Sequence, residues 1–330
     1  MPPPKRDCDQ QVSGIRSSAE RRSCGRDAML PFILMIISCG YSCTPGYSRD
    51  HPVFLQLSDY FWVKNQSFYQ LPYGTKGSEE LLMKFLALTS SYQVPPEIER
   101  LPCRRCVVVG NGHRLRNSSL GEVINKYDVV IRLNNAPVHK YQKDSADFDL
   151  HLDNNPDSLM VLVPFKPLDI QWMKVLLNNE KRVNKGFWKI PPILWDGDPQ
   201  NIRILNPYYM AVTASKILGC NETQMKKLKP KPTTGMLAIT FALHFCDMVH
   251  IAGFGYPAST NKKQPIHYYE TVTLKSMAVS SLSVNQKTLY ITDSSVHPIQ
   301  NPPPPPPCPV QRHTLVSYTV VFKIIQPPML

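Results

Sequence analysis

The sequence predicts an α/β protein built on one open, doubly wound, mostly parallel sheet. Three observations carry this. Short β-branched runs alternate with stretches of helical period along most of the chain. A Gly-Asn-Gly turn, which tolerates positive φ, joins the first such run to a helix. And 330 residues suffice for one large core with terminal appendages.

Residues 1–27 are polar, basic and rich in Pro, Ser and Arg, and read as a disordered leader. Residues 28–38 form an apolar run of about half the ~20 residues a spanning helix needs, interrupted by Pro31. A signal-peptide core, a shortened anchor or a buried segment all fit it. Residues 39–72 read as stem and lead-in, with aromatic residues concentrated from Tyr47 to Tyr73. A helix is expected over Gly77–Ser90, with Leu81, Leu82, Phe85 and Leu88 on one face.

The core pattern begins at Cys106–Val109, a strand. The turn Gly110-Asn111-Gly112 follows, then a helix over Leu120–Lys126 and a second strand at Val129–Leu133. Asn117, Ser118 or Ser119 can cap that helix, with Glu122 as a capping-box partner of Ser119. Two buried strands joined by a crossover helix make a parallel βαβ unit, whose ligand site lies at the carboxyl edge. Further strands are expected at Leu159–Val163, Ile202–Leu205 and Val249–Gly253. Helices are expected over Asp169–Leu177, Tyr208–Leu218, which starts after Pro207, and Thr233–Asp247. From Val279 the character changes. Pro302–Pro307 reads as a polyproline II linker or an SH3 or WW ligand. Thr314–Ile325 is apolar and β-prone.

The formal net charge of +12 favours an anionic partner. Lys and Arg are dispersed and no nucleic-acid-binding signature appears, so nucleic acid is set aside as a partner. A nucleotide sugar or a membrane surface remains. Cys103-Arg-Arg-Cys106 has metal-ligand spacing, but no second pair lies at ligand distance, so no zinc site is predicted. Sequons at Asn65, Asn117 and Asn221, together with nine cysteines, favour an oxidising, secretory compartment. Asn117 can equally serve only as a helix cap.

Thr233, Thr234 and Gly235 open a helix whose free N–H groups and dipole suit a phosphate, or form a plain Thr cap. Asn111 and Asn134 follow the first and second strands at the sheet's carboxyl edge. There their amides can bond ribose, base or phosphate, or serve only the turns. Tyr208 is a further pocket candidate that could equally be core. No D-x-D sequence stands where it would bind a metal, and Asp128, Asp147, Asp149 and Asp153 read as turn and strand-end residues.

The stretch CRRCVVVGNGHRLRNSSLGEVINKYDVVIRLNNAPV (Cys103–Val138) resembles the large sialyl motif of animal sialyltransferases. KPTTGMLAITFALHFCDMVHIAGFG (Lys231–Gly255) resembles the small one, and His267-Tyr268-Tyr269-Glu270 the third. The wording is similar to the β-galactoside α-2,3-sialyltransferases, in particular the N-acetyllactosamine branch, over Tyr47–Ala278. The resemblance implies a Rossmann-like, glycosyltransferase-A-variant catalytic domain over 73–278. It implies a single-pass type II Golgi membrane protein with a lumenal catalytic domain and a signal anchor at 28–38. It also implies transfer of sialic acid from CMP-sialic acid to the galactose 3-hydroxyl of glycoprotein and glycolipid glycans, with inversion and without metal or cofactor. Asn111, Asn134, Tyr208, Thr233, Thr234 and Gly235 would then bind the donor, and His267 would stabilise the departing phosphate. Cys106 and Cys246 would pair, and Cys103 would pair upstream, with Cys43 ahead of Cys39.

Two departures from the family stand out. The general-base His of a terminal H-x-x-x-x-E motif falls on Leu282, and its Glu on Lys287. His297 and His313 lie further on without a motif around them. After Asp144, about a dozen residues carrying a core strand are missing, enough to remove a strand of ordinary length. Exposed edges and an incomplete core are therefore expected. Three readings follow: an active transferase, a splice-like variant impaired by the absent base, or an interaction protein acting through its Pro-rich tail over 279–330.

Overall fold

The computed structural model describes residues 51–275, with short interruptions of which 146–157 is the longest, and residues 318–323. The leader 1–27, the apolar run 28–38, Cys39, Cys43, Leu282, Lys287, His297, 302–307 and His313 lie outside the described residues.

Among the described residues six strands make one all-parallel sheet. They are β1 (Arg105–Val109), β2 (Val129–Leu133), β3 (Ser158–Leu162), β4 (Ile202–Ile204), β5 (Met248–Ala252) and β6 (Tyr318–Lys323). Their order is β4-β3-β6-β2-β1-β5. Strands β2, β3 and β4 are buried throughout, which is why they read as continuous apolar runs rather than alternating ones. Edge strand β5 is half-buried.

Helices cover both faces. On one face α3 (Pro207–Val212) and α4 (Thr234–Phe245) pack on Cys106, Val108, Ile131 and Leu133. On the other, α1 (Glu79–Thr89) and α2 (Pro167–Leu177) cover Met160, Leu162, Ile202 and Ile204. A smaller cluster of Val107, Val109, Val130, Leu115, Ile124 and Tyr268 continues that second face over β1 and β2. The long, weakly amphipathic α4 is apolar nearly all round because the sheet and α3 enclose it.

Several expected boundaries shift for local reasons. Helix α1 buries Leu82, Phe85, Leu86 and Thr89 at i, i+3, i+4 and i+7, so Leu86 takes the inward place expected for Leu88, which is exposed. The helix expected over Leu120–Lys126 is a single turn, Gly121–Ile124, with no side-chain cap on it. Asn117 and Ser119 instead adopt positive φ, and the Asp144 carboxylate accepts their backbone N–H groups at 2.8 and 2.9 Å. A carboxylate distant in sequence thus replaces the predicted capping box. The helix after Pro207 runs as α-helix only to Val212 and continues as a π turn to Ile217. There the Thr213 hydroxyl donates to the Tyr209 carbonyl at 2.7 Å, a back-bond that loosens a helix.

The largest correction concerns the gap after Asp144. The sheet is not left open between β2 and β3. Strand β6 fills that place, pairing Val129–Leu133 with Tyr318–Phe322 on one side and Ser158–Leu162 with Thr319–Lys323 on the other. Val320 and Phe322 join the same core cluster as Ile131, Leu133 and Val161. The Phe322 ring meets Phe241 of α4 edge-on at 4.9 Å. Part of the apolar run Thr314–Ile325, which the sequence leaves without a counterpart, is thus a central strand.

One residue of β6 fits its place imperfectly. The Thr319 hydroxyl is buried and has no hydrogen-bond partner among the described residues. An orphaned buried polar group costs about 1–3 kcal/mol. The near-isosteric Thr319→Val is therefore expected to stabilise the chain by roughly 1 kcal/mol, valine being at least as good a strand former. A higher midpoint in denaturant at unchanged slope would show it; an unchanged or lower midpoint would refute it.

Candidate active site

The strand order reverses between β1 and β5. From β1 the chain proceeds outward through β2, β3 and β4, then returns to the far side of β1 as β5. Loops leaving the carboxyl ends of two such strands diverge and open a crevice, the usual ligand site of open α/β sheets.

Two glycine pairs line this point. Gly110-Asn111-Gly112 after β1 lies against Gly253-Phe254-Gly255 after β5. The Gly110 N–H donates to the Ala252 carbonyl and the Gly112 N–H to the Gly253 carbonyl, both at 2.7 Å. A Cβ on Gly110 would stand 2.6 Å from the Gly253 carbonyl oxygen, and one on Gly112 at 2.7 Å from the same atom. Gly253 itself has φ +68°. Backbone therefore packs on backbone here, leaving main-chain groups at the crevice floor.

From one face, α4 presents its N-terminus to this edge. Thr233 is the N-cap, its hydroxyl accepting from the Met236 N–H at 3.4 Å. A Cβ on Gly235 would lie 2.8 Å from the Phe254 ring and 3.7 Å from Leu133, so the helix start abuts the ends of both β5 and β2. From the opposite face comes the segment Ile266–Glu270. The His113 N–H donates to the Ile266 carbonyl at 2.9 Å, and the Tyr268 N–H to the Asn111 carbonyl at 3.1 Å. His267 bridges Gly112. Helix start and histidine thus flank one glycine loop from its two sides.

His267 is held on its Nδ1 side. That nitrogen contacts the Glu270 carboxylate, and the imidazole stacks on Tyr269 with ring centroids 5.4 Å apart. A carboxylate only accepts, so Nδ1 carries the proton shared with Glu270 and Nε2 is the atom available to a ligand. Below it, Tyr268 is buried and donates its hydroxyl to the Pro137 carbonyl at 2.7 Å. Burial pushes that phenol up to about 12. Arg132, at the end of β2, is 2 % exposed and bonds the Ser145 carbonyl, and burial pulls its guanidinium down to about 10.

The sequence-derived candidates separate into a cluster and an outlier. Asn111, Asn134, Thr233, Thr234, Gly235 and His267 converge on the β1–β2–β5 edge. The Asn111 amide nitrogen donates to the Leu133 carbonyl at 3.3 Å, so it ties the first loop to the second strand end. Asn134 has φ 55°, and its N–H donates to the Phe322 carbonyl at 2.7 Å. Asparagine tolerates that left-handed conformation better than most residues. Tyr208 also stands at the carboxyl side, at the start of α3, but beside β4 at the far end of the sheet, with its ring 4.0 Å from His51. Glu270 and Asp144 are the polar residues whose parts sequence reasoning missed. Glu270 lay in the quoted motif, while nothing local marked Asp144.

Cys106 and Cys246 form a disulfide joining the start of β1 to the residue after α4. Cys103 is also disulfide-bonded. Asn65, Asn117 and Asn221 are exposed. Asn221 additionally caps the helix Glu222–Leu228, its Oδ1 accepting from the Gln224 N–H at 2.8 Å. Among the described residues no group of three His, Cys, Asp or Glu could hold a metal. No helix among them is long and apolar enough to cross a membrane.

In the middle of β5, His250 Nδ1 lies 2.9 Å from the hydroxyl of Tyr127, which precedes β2, and burial holds the His250 imidazole below its ordinary value. The unfolded chain therefore takes up this proton first as pH falls. His250's contribution is whole above about pH 6.5 and declines below it, by less than about 1.4 kcal/mol per pH unit. His250→Gln is expected to flatten the stability profile between about pH 7.5 and 5.5. Parallel slopes for the two proteins would contradict this.

An all-parallel sheet with its loops gathered at one reversal point is the architecture of nucleotide-binding α/β proteins. Comparison with known proteins narrows that class. The profile of Glycosyltransferase family 29 (sialyltransferase) matches residues 55–147 and 145–289. A human protein named CMP-N-acetylneuraminate-beta-galactosamide-alpha-2,3-sialyltransferase 4 is 61% identical over 259 residues, covering 74% of this chain and 78% of its own. The human CMP-N-acetylneuraminate-beta-1,4-galactoside alpha-2,3-sialyltransferase is 39% identical over 251 residues, covering 72% and 66%. In structure, the chain is similar to a mammalian sialyltransferase crystallised with Gal-beta-1-3GalNAc-ortho-nitrophenol. The TM-score is 0.51 at 22% identity, over 72% of this chain and 89% of that one. The chain belongs to glycosyltransferase family 29, the sialyltransferases.

Proposed function

We propose that this protein transfers sialic acid from CMP-sialic acid to the 3-hydroxyl of terminal galactose, as in Gal-β-1,4-GlcNAc. The observation that carries the reading is the crevice at the β1–β5 reversal, flanked by the N-terminus of α4 and by His267. A nucleotide monophosphate fits that pair. The N–H groups after Thr233 supply donors and a positive dipole end, and His267 Nε2 supplies a further donor when the ring is protonated. In this reading Asn111 and Asn134 serve the ribose and base of the donor. The 61% identity to a β-galactoside α-2,3-sialyltransferase supports the acceptor and linkage.

The reaction is an in-line displacement at the anomeric carbon. The acceptor oxygen forms the new bond as the bond to the CMP phosphate breaks, with inversion. Charge grows on the leaving phosphate, and that is where α4 and His267 act. The proposed reaction uses neither a metal nor a cofactor. The acceptor proton passes to solvent or buffer base, since the family's general-base position falls on Leu282. Loss of a general base typically lowers the rate by about 10²–10⁴, so slow turnover is the expectation. Glycans of glycoproteins and glycolipids are the proposed acceptors. The proposed setting is a Golgi lumen, with a type II anchor at 28–38 and glycans on Asn65, Asn117 and Asn221.

The test is incubation of the purified, secreted chain with CMP-sialic acid and N-acetyllactosamine, followed by linkage analysis of the product. An α-2,3-linked product is expected. No product after long incubation, with the donor intact, would overturn the proposal.

A further inference from the structure

We infer that the C-terminal strand β6 is the positioning element of the donor crevice, holding Asn134 and the phosphate-facing helix α4 in register. The inference rests on the proposed donor site, and its first half stands independently of it. Strand β6 lies between β3 and β2, bonded to both, although at least 155 residues separate it in sequence from either. Its carboxyl end lies at the same sheet edge as the crevice. There the Phe322 carbonyl accepts the Asn134 N–H at 2.7 Å, the first backbone bond beyond the β2 ladder.

That bond holds the residue on which β2 turns away, at φ 55°, a conformation that asparagine adopts more readily than most non-glycine residues. With β6 absent, the Asn134 N–H would lose this acceptor and β2 its outer neighbour. The second connection is through side chains. Phe322 is fully buried and packs edge-on against Phe241 of α4. Phe241 stacks in turn on Phe245, the last residue of that helix. One residue of the tail thus touches both halves of the proposed donor site, the asparagine through its backbone and the helix through its ring. Asn134 lies in the large sialyl motif and Phe241 in the small one, whereas Phe322 lies outside both.

Hydrogen exchange on the full, unsubstituted chain tests the strand. Amides 319–322 and that of Asn134 are expected to be protected by roughly 10³-fold or more over an unstructured peptide. Exchange at peptide rates would overturn the inference whatever the chain binds.

CMP titration tests the positioning. Phe322→Ala is expected to weaken CMP binding by about tenfold or more, and Phe322→Leu to restore it to within roughly threefold. Val320→Pro, which removes a ladder hydrogen bond from a central strand, is expected to abolish binding. CMP affinity unchanged in Val320→Pro would overturn the inference. Protected amides in a chain that binds no CMP would overturn the positioning role together with the proposed function, leaving the strand its place in the sheet.

Discussion

Removing the Cys106–Cys246 bridge by a double change to alanine is expected to lower the unfolding free energy by about 4 kcal/mol. The two cysteines are 140 residues apart. In the chain-entropy model, closing a loop of that length stabilises by close to ~5 kcal/mol, and measured values run somewhat lower. For a domain of this size the melting midpoint should fall by roughly 8–16 °C. The bond also has a local consequence. It joins the amino end of β1 to the end of α4, the two elements whose opposite ends frame the crevice. Its loss should therefore loosen the angle between the glycine loop and the helix start, and weaken CMP binding before the chain melts. Scanning calorimetry of the double variant, beside the native chain with and without reductant, measures the first effect. A midpoint within about 2 °C of the native one would show that packing of Phe241 and Leu237 alone holds α4 on the sheet. Single replacements are less informative, because each leaves a buried thiol beside its former partner.

How much of this was legible in the sequence depends on how local the cause was. Strand β2 and the start of α4 follow from residues a few positions apart: an unbroken β-branched run, and a threonine ahead of an apolar helix. The carboxyl-edge placement of Asn111, Asn134, Thr233 and His267 follows from that alternation and the motif order. Long-range causes were not legible. Asp144 caps a turn 25 and 27 residues earlier, and nothing in the local pattern of either segment announces the contact. The Tyr318–Lys323 run looked β-prone, yet strand propensity does not say which neighbour a strand will choose. Only the geometry of the sheet, a vacant place one strand wide between β2 and β3, selects it. The gap after Asp144 implies an open core only if strands fill the sheet in chain order, whereas sheets are assembled in space. Leu88 fails for a smaller reason of the same kind. Period alone allowed either flank of α1 to face inward, and α2 decided in favour of Leu86.

His267→Ala is expected to lower the rate of CMP release by about 10²–10³, the usual consequence of deleting one donor to a developing negative charge. Donor hydrolysis by water is the informative measurement in this chain. It breaks the same bond to CMP as sugar transfer does, but needs no proton taken from the galactose hydroxyl. A group that stabilises the departing phosphate must therefore change hydrolysis and transfer by the same factor. One that acts on the acceptor changes transfer alone. The geometry places His267 beside Gly112 in the loop after β1, opposite the start of α4, so the same factor in both rates is the expected result. Glu270→Gln makes a graded companion. The amide oxygen can still accept from Nδ1 but carries no charge, so the ring keeps its orientation while the charge beside it is removed. Its effect should be smaller, about tenfold. Unchanged hydrolysis in His267→Ala, with transfer lost, would move this histidine from the leaving group to the acceptor. It would make His267 the missing general base.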